Sequence, residues 1–193
     1  MDLSSLSTFR VAACDLNGQM RGKRVDRRDA DKIDQGGMRM PFSALNVDIC
    51  GNDIEGSPLV FDSGDADGML LPTGRGPLPM PWLATPTALV PMALHHENGA
   101  AFAGDPRHAL ASVLSRYASR GLRVVAATEM EFTLIDDSLD TPRAPLNPDT
   151  KRPLANNALY GLRQLDAFDA FFSQLFDASL DMGIPASSAM AES

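Results

Sequence analysis

The chain has 193 residues, 44% of them hydrophobic, and its 17 basic and 25 acidic side chains give a formal net charge of −8. This composition is typical of a globular protein, and the acidic balance argues against nucleic acid or an anionic membrane surface as the main partner. The sequence lacks a run of about 18 apolar residues and a signal-peptide start. We therefore expect no transmembrane helix and a cytoplasmic location.

The first hundred residues are rich in short β-prone segments separated by turn residues. Residues 9–16 alternate, meet the hairpin dipeptide Asn17-Gly18, and return over residues 19–25. The charged stretch 27–32 predicts one helical turn. The other predicted strands are residues 43–49, 59–61, 68–71, 88–94 and 100–102, with loops at 51–53, 63–68 and 72–81 and a hairpin turn at 97–99.

The pattern then becomes helical. Asp105-Pro106 puts a capping side chain before a proline and predicts a helix that runs to about residue 119 and ends at Gly121. The side chains that this helix should bury are Leu110, Val113, Leu114 and Tyr117. The later elements should be a strand at 122–135, a long loop at 136–152 and a second amphipathic helix at 165–182. These elements need more sheet than residues 186–193 supply, so we expect the front part of a longer fold.

Glu129 and Glu131 form the most informative pair of charges. On the predicted strand they share one face, with Met130 and Phe132 on the other. Two carboxylates roughly 7 Å apart on one strand repel each other unless something cationic lies over them. A solvent shell, a basic residue or a divalent metal ion could each fill that place.

At this point the chain resembles the glutamine synthetase family. The resemblance rests on a β-rich start, then D-P-R before a helix, A-T-E-M-E-F in a strand, and G-I-P after a second helix. It implies an α+β fold, with a β-grasp-like N-terminal domain over residues 1–103. The opening helix, strand and helix of the catalytic domain would follow over residues 104–193. The loop at 51–72 looks closest to the branch that joins glutamate to amines such as putrescine.

The resemblance also implies a chemistry. Family members use ATP to join the γ-carboxyl of glutamate to ammonia or an amine through γ-glutamyl phosphate, with Mg²⁺ or Mn²⁺ ions beside the nucleotide. By similarity, Glu131 and Glu192 would bind the metal nearer glutamate, and Glu129 the metal that bridges the ATP phosphates. Asp48 and Asp67 would attract the amine across a subunit interface and assist its deprotonation. The implied assembly is a homo-oligomeric ring.

Simpler readings stand beside these roles. Aspartate is common in turns because its carboxylate binds nearby backbone N–H groups, which applies to Asp48 and Asp67. The family's ammonia-using members tend to carry a Ser-rich stretch after the first aspartate. Here Asp48 is followed by Ile49-Cys50-Gly51, so the resemblance implies an amine larger than ammonia. Basic side chains interspersed with Asp26 and Asp29 favour a solvated or subunit-contact face; they are Arg21, Lys23, Arg24, Arg27 and Arg28.

Two functions follow as hypotheses. The first is an ATP-dependent glutamate–amine ligase that needs more chain than these 193 residues, so that we expect no turnover from this chain alone. Glu192 should also fray, because it lies next to the last residue. The second is a non-catalytic fragment or interaction module that assembles with full-length homologues.

Overall fold

The computed structural model describes residues 5–154 and 159–192. The chain forms two compact units, Met1–Val125 and Ala126–Ser193, which are described separately below. The predicted division into domains of residues 1–103 and 104–193 is a different kind of division, based on family resemblance, and it stays a prediction. In the described ranges, the structure has no helix that is long and apolar enough to cross a membrane.

The first unit is built on one mixed sheet. Its described strands are β1 (Thr8–Cys14), β2 (Met20–Asp26), β3 (Met38–Pro41), β4 (Asp67–Pro72), β5 (Leu78–Pro79) and β6 (Thr87–His95). They lie in the order β2-β1-β6-β4-β3, and β5 also pairs with β6. Strands β1 and β6 are parallel, whereas the other pairs are antiparallel. The predicted α+β class is confirmed, because the chain combines this mixed sheet with helices that lie between or after its strands in the sequence.

The predicted hairpin at the start of the chain is confirmed. Strands β1 and β2 pair in register from Thr8 opposite Asp26 to Cys14 opposite Met20. Gly18 in the turn has a φ of 77°, a conformation that glycine adopts without steric cost.

The core of the unit lies around the central strand β6. Nearly every residue of β6 is buried, as expected for a strand with neighbours on both sides. The most deeply buried aliphatic side chains are Val11, Leu45, Leu70, Met92 and Leu94. Burying each such side chain contributes about 1.5–3 kcal/mol.

Two predicted strands are helical instead. Residues 43–49 were expected to be extended, but Phe42–Leu45 forms a 3₁₀ helix that buries Phe42 and Leu45. Residues 59–61 lie in the short helix α2 (Pro58–Phe61), where Pro58 occupies the first helical position. Short apolar runs do not distinguish a strand from a buried helical turn, which explains both errors.

Three other predictions are settled in this unit. The charged stretch forms a 3₁₀ turn (Arg27–Asp29) and then α1 (Asp31–Asp34), so the predicted helical turn is confirmed. The predicted strand at 100–102 is reduced to one bridge between His95 and Ala101, around a turn where Gly99 has a φ of 80°. Strand β5 lies inside residues 72–81, which were expected to be loop throughout.

Helix α3 (Pro106–Ala118) forms as predicted but does not bury its apolar stripe. Asp105 caps it, accepting a hydrogen bond from the Arg107 N–H at 2.8 Å, and Gly121 follows with a φ of 71°. The four side chains expected in the core are exposed by 41–60%: Leu110, Val113, Leu114 and Tyr117. The spacing therefore predicted the helix correctly, but no described residue of the first unit covers its apolar face.

The described part of the second unit contains two helices. The predicted helix at 165–182 is divided into α4 (Leu162–Ala167) and α5 (Asp169–Asp181), because Phe168 leaves helical geometry with φ −114° and ψ 25°. In the range 136–152, the described residues form only isolated bridges, such as Asp136 with Arg143, in agreement with the predicted loop. Unlike the first unit, the described part of this unit has no buried residue.

Candidate functional site

The segment with Glu129 and Glu131 is not a strand. Residues 122–134 have no helix, strand or bridge, and both glutamates are exposed. A strand requires a neighbour to complete its backbone hydrogen bonds, and no described residue pairs with this segment. The prediction of a shared strand face for the two carboxylates is therefore wrong for this structure.

The apolar neighbours of the glutamates are also exposed. Met130 is 82% exposed and Phe132 is 57% exposed. Phe132 still contacts α5, where its ring centroid lies 6.1 Å from that of Phe171. The β-prone composition of this segment is thus not matched by burial in the second unit.

The three proposed metal ligands have suitable chemistry but not a suitable arrangement. Carboxylate oxygens are ligands that Mg²⁺ and Mn²⁺ prefer. However, residues 5–154 and 159–192 contain no group of three or more His, Cys, Asp or Glu side chains that could hold a metal ion. Glu192 is exposed, and the adjacent Ala191 carbonyl accepts a hydrogen bond from the Tyr160 N–H at 2.8 Å. The described residues of this chain therefore do not by themselves form a metal site.

Asp48 lies in a tight loop that its own carboxylate helps to close. Its Oδ1 atom accepts hydrogen bonds from the N–H groups of Cys50 at 2.9 Å and Asn52 at 2.8 Å. Its backbone N–H donates to the Asn52 carbonyl, and Val47 and Asp53 form a bridge at the base. The turn role that the sequence left open for Asp48 is therefore observed.

These hydrogen bonds set the charge of Asp48. The backbone N–H of Asn52, followed by its side-chain amide, lowers the pKa of the Asp48 carboxyl below its ordinary value. Desolvation acts in the opposite direction but is the smaller influence. Asp48 is therefore a stable anion at neutral pH, suited to attracting a cation but a weak proton acceptor.

The β1–β2 hairpin packs against the Asp48 loop. The Nδ2 atom of Asn17 donates to the carbonyls of Val47 at 3.0 Å and Asp48 at 3.1 Å. Arg21 lies on the other side, with its guanidinium nitrogens 3.4 and 3.5 Å from the position that a Cβ would take on Gly51. The hairpin turn and the loop are thus joined at two points.

Asp15 organises the hairpin side of this contact. It is 2% exposed, and its Oδ1 accepts from the N–H groups of Asn17 and Gln19, both at 2.8 Å. Its Oδ2 accepts from Arg21 Nε at 2.8 Å. Burial raises the pKa of Asp15, but the Arg21 side chain and the two backbone donors outweigh it and leave the pKa below its ordinary value.

The environment of Asp15 predicts that the free energy of unfolding falls in acid. Its folded-state pKa is lowered from 3.8, so its charge stabilises the fold at higher pH and this contribution is lost as the pH falls through the lowered pKa. We expect urea titrations to give the native chain a constant stability margin over Asp15→Asn above about pH 5, and a shrinking margin below about pH 4. A margin that stays constant down to about pH 3 would contradict this assignment.

Asp67 is placed differently from Asp48. It is exposed at the start of β4, where it pairs with Pro41 of β3. Its neighbour Asp65 has a positive φ of 55° and accepts a hydrogen bond from Ser43 Oγ at 2.5 Å. The structure gives Asp67 no clamp of the kind that surrounds Asp48, and its proposed role in amine binding stays a prediction.

The cluster behind Asp48 was not predicted from the sequence. Asn17-Gly18 was interpreted only as a turn, and Arg21 as part of a solvated or subunit-contact face. Arg21 is instead paired with the buried Asp15 and is 33% exposed. A signal was present, because Asp15, Asn17 and Arg21 occur within seven residues around a tight turn, but their contact with residues 47–51 requires the folded chain.

Comparison with known proteins relates this chain to one family. Residues 103–193 match the family model "Glutamine synthetase, catalytic domain". The chain is 32% identical over 187 residues to Gamma-glutamylputrescine synthetase PuuA of Escherichia coli (strain K12), covering 94% of this chain and 39% of that protein. It is 28% identical over 137 residues to Glutamate–isopropylamine ligase of Pseudomonas sp, covering 70% of this chain and 30% of that protein.

Solved structures agree at the level of the fold. A structure described as a novel glutamine synthase homolog superposes with a TM-score of 0.69 at 16% identity, covering 97% of this chain and 41% of that chain. The GmaS/ADP complex gives a TM-score of 0.65 at 21% identity, covering 93% and 37%. This chain spans about two fifths of the length of Gamma-glutamylputrescine synthetase PuuA and of the glutamine synthase homolog. Residues 103–193 therefore carry the catalytic-domain pattern of the glutamine synthetase family, and the chain is similar over 94% of its length to a γ-glutamylputrescine synthetase.

Proposed function

We propose that the chain takes part in the ATP-dependent ligation of the glutamate γ-carboxyl to an amine or ammonia. The observation that carries this proposal is the 32% identity over 187 residues to a γ-glutamylputrescine synthetase. The second relative is also a glutamate–amine ligase, which favours an alkylamine over ammonia. From the same resemblance we further propose a β-grasp-like first domain, a cytoplasmic location and a homo-oligomeric ring.

The reaction proceeds in two steps. The glutamate γ-carboxylate attacks the γ-phosphorus of ATP, which releases ADP and forms γ-glutamyl phosphate. The amine nitrogen then attacks the acyl carbon, phosphate leaves, and the nitrogen loses a proton. A divalent metal would neutralise the phosphate oxygens. Glu129, Glu131 and Glu192 remain our proposed ligands for it, but no step is assigned to them because the described residues form no metal cluster.

Asp48 is the residue of this chain that we assign to the amine. An alkylammonium ion is attracted by a carboxylate that keeps its charge, and the pKa of Asp48 is lowered by its loop. The same low pKa makes Asp48 a poor general base, since such a base works best with a pKa near the operating pH. We therefore propose that Asp48 binds the amine electrostatically, with Asp67 as a second carboxylate, and that it contributes little to deprotonation.

A chimera tests this assignment. Replacing the matching region of the Escherichia coli enzyme with this chain should give a protein that forms γ-glutamylputrescine from ATP, glutamate and putrescine, measured by phosphate release and mass spectrometry. We expect the 193-residue chain alone to release none. In the chimera, Asp48→Asn should raise the KM for putrescine about 10-fold, because one charge-assisted contact is lost, and should leave the KM for ATP unchanged.

The control is Asp62→Asn, at an exposed aspartate that follows α2. It removes the same charge from the first unit without touching the Asp48 loop, and it should leave all three KM values unchanged. A chimera that folds and turns over, but whose KM for putrescine ignores Asp48→Asn, would refute the role of Asp48.

The alternative is an interaction module. The described residues have no metal cluster, and α3 exposes an apolar stripe, which suits a chain that completes itself on a homologue. Native mass spectrometry of this chain mixed with the Escherichia coli enzyme would show mixed rings under this alternative. Under the ligase proposal alone, no subunit exchange is required.

A further inference from the structure

The loop at residues 47–53 is held from outside as well as from inside. Internally, Asp48 Oδ1 accepts from two backbone N–H groups, and the Gly51 N–H donates to the Asp48 carbonyl at 3.0 Å. These bonds keep the loop closed. They do not fix the loop on the sheet, because all their atoms belong to the loop itself.

Asn17 supplies the connection to the sheet. Its side-chain amide donates to two successive carbonyls, Val47 and Asp48, and so holds the backbone on which the Asp48 carboxylate is mounted. Asn17 is itself positioned by its N–H bond to Asp15, which is almost fully buried. Hydrogen bonds therefore connect the buried Asp15 to Asn17, and Asn17 to the backbone of Val47 and Asp48.

Arg21 lies near the loop at Gly51. Its Nε is fixed by Asp15 Oδ2, while its terminal nitrogens lie against Gly51. Gly51 has a φ of 86°, and a side chain there would meet the guanidinium. The loop is thus hydrogen-bonded to the hairpin at Val47 and Asp48, and the Arg21 guanidinium lies beside Gly51.

We propose that Asn17, supported by Asp15 and Arg21, is a positioning residue that holds the Asp48 carboxylate where it meets the amine. The amine in this statement rests on the proposed function, whereas the positioning of Asp48 stands on the contacts alone. Asn17 touches no substrate, and it acts through the orientation of the Asp48 loop. The spacing of Asp15, Asn17 and Arg21 in the hairpin then determines where the cationic end of the amine binds.

The experiment is carried out on the 193-residue chain labelled with ¹³C and ¹⁵N. In Asn17→Ala, the NMR titration midpoint of the Asp48 carboxyl should move up toward that of an ordinary aspartate. The amide protons of Cys50 and Asn52 should exchange about 10-fold faster, because the loop opens more often once two of its anchoring hydrogen bonds are lost. The amide protons of β1 and β6 should keep their hydrogen-exchange rates.

The matched control is Asn98→Ala. Asn98 also precedes a glycine in a hairpin turn, and its Oδ1 accepts from the Ala100 N–H at 3.0 Å, but it has no contact with the Asp48 loop. It should leave the Asp48 titration and both amide rates unchanged. If Asn17→Ala fails to fold, Asn17→Asp preserves the turn, since Asp-Gly is also favoured there, and removes the donor; exchange of Cys50 and Asn52 is then the measurement.

The outcomes separate the two ideas. An unchanged Asp48 titration and unchanged amide exchange in a folded Asn17 variant would overturn the positioning role. A second outcome combines a shifted Asp48 titration and faster amide exchange in Asn17→Ala with a KM for putrescine that Asp48→Asn does not change in the chimera. This outcome would support Asn17 as the residue that positions Asp48, but it would show that Asp48 does not bind the amine. Agreement of both measurements supports the full proposal.

Discussion

Gly22→Ala is expected to lower the free energy of unfolding by about 3 kcal/mol, at the upper end for an overpacked site. Gly22 lies in β2 opposite Ala12, and a Cβ built on it would lie 1.9 Å from the Val11 carbonyl oxygen and 2.7 Å from the Ala12 Cα. Both are backbone atoms, so no rotamer change can relieve the overlap. Strand β2 must move off β1 and lose ladder hydrogen bonds, which urea denaturation of the chain would detect.

Gly37→Ala is the control for this substitution. Gly37 also has an ordinary φ, but the nearest atom to its Cβ position is 3.3 Å away, in Lys32. Its effect should stay below about 1 kcal/mol, because a shift of a few tenths of an ångström relieves the contact. Equal effects of the two substitutions would show that the close approach of β2 to β1 is not required.

Asp105→Ala is expected to cost about 2–4 kcal/mol, because two different hydrogen bonds end on this side chain. Its Oδ1 caps α3 through the Arg107 N–H, while its Oδ2 accepts from the Leu94 N–H in β6, both at 2.8 Å. Asp105 is 1% exposed and Leu94 is fully buried, so water cannot replace the lost acceptor. Denaturant unfolding measures the total loss.

Asp105→Ser separates the two contributions. Serine is a good helix cap but its side chain is too short to reach the Leu94 N–H as well, so it should recover about 1 kcal/mol of the loss. Helix content of α3, followed by NMR, should recover with serine, while the Leu94 amide should continue to exchange faster than in the native chain. If alanine and serine behave identically, the cap contributes nothing and the strand bond accounts for the whole effect.

Local signals in the sequence predicted much of the first unit. The Asn17-Gly18 hairpin, the capped start of α3 at Asp105 and the central strand β6 all form as expected. Each depends on residues close together in the chain, such as a turn dipeptide or a cap followed by proline. Their energies are decided within a few residues, which is why sequence patterns report them.

The failed predictions required contacts between distant residues. Residues 43–49 have a strand-like composition, but the burial of Phe42 and Leu45 in a 3₁₀ turn prevailed. Residues 122–134 also have a strand-like composition, yet they find no pairing partner among the described residues. A strand is completed only by its neighbour, and periodicity does not reveal whether that neighbour is present.

Local patterns in the sequence correctly predicted the β1–β2 hairpin and the capped start of α3, and they carried the resemblance to the glutamine synthetase family, because turn dipeptides, caps and motif spacing are properties of neighbouring residues. The folded chain was needed to show that Asp48 is hydrogen-bonded to Asn52, that Asn17 binds the backbone of this loop, and that Arg21 lies beside Gly51. These contacts join positions about thirty residues apart through a buried aspartate. Such a cluster exists only when the sheet brings the hairpin and the loop together.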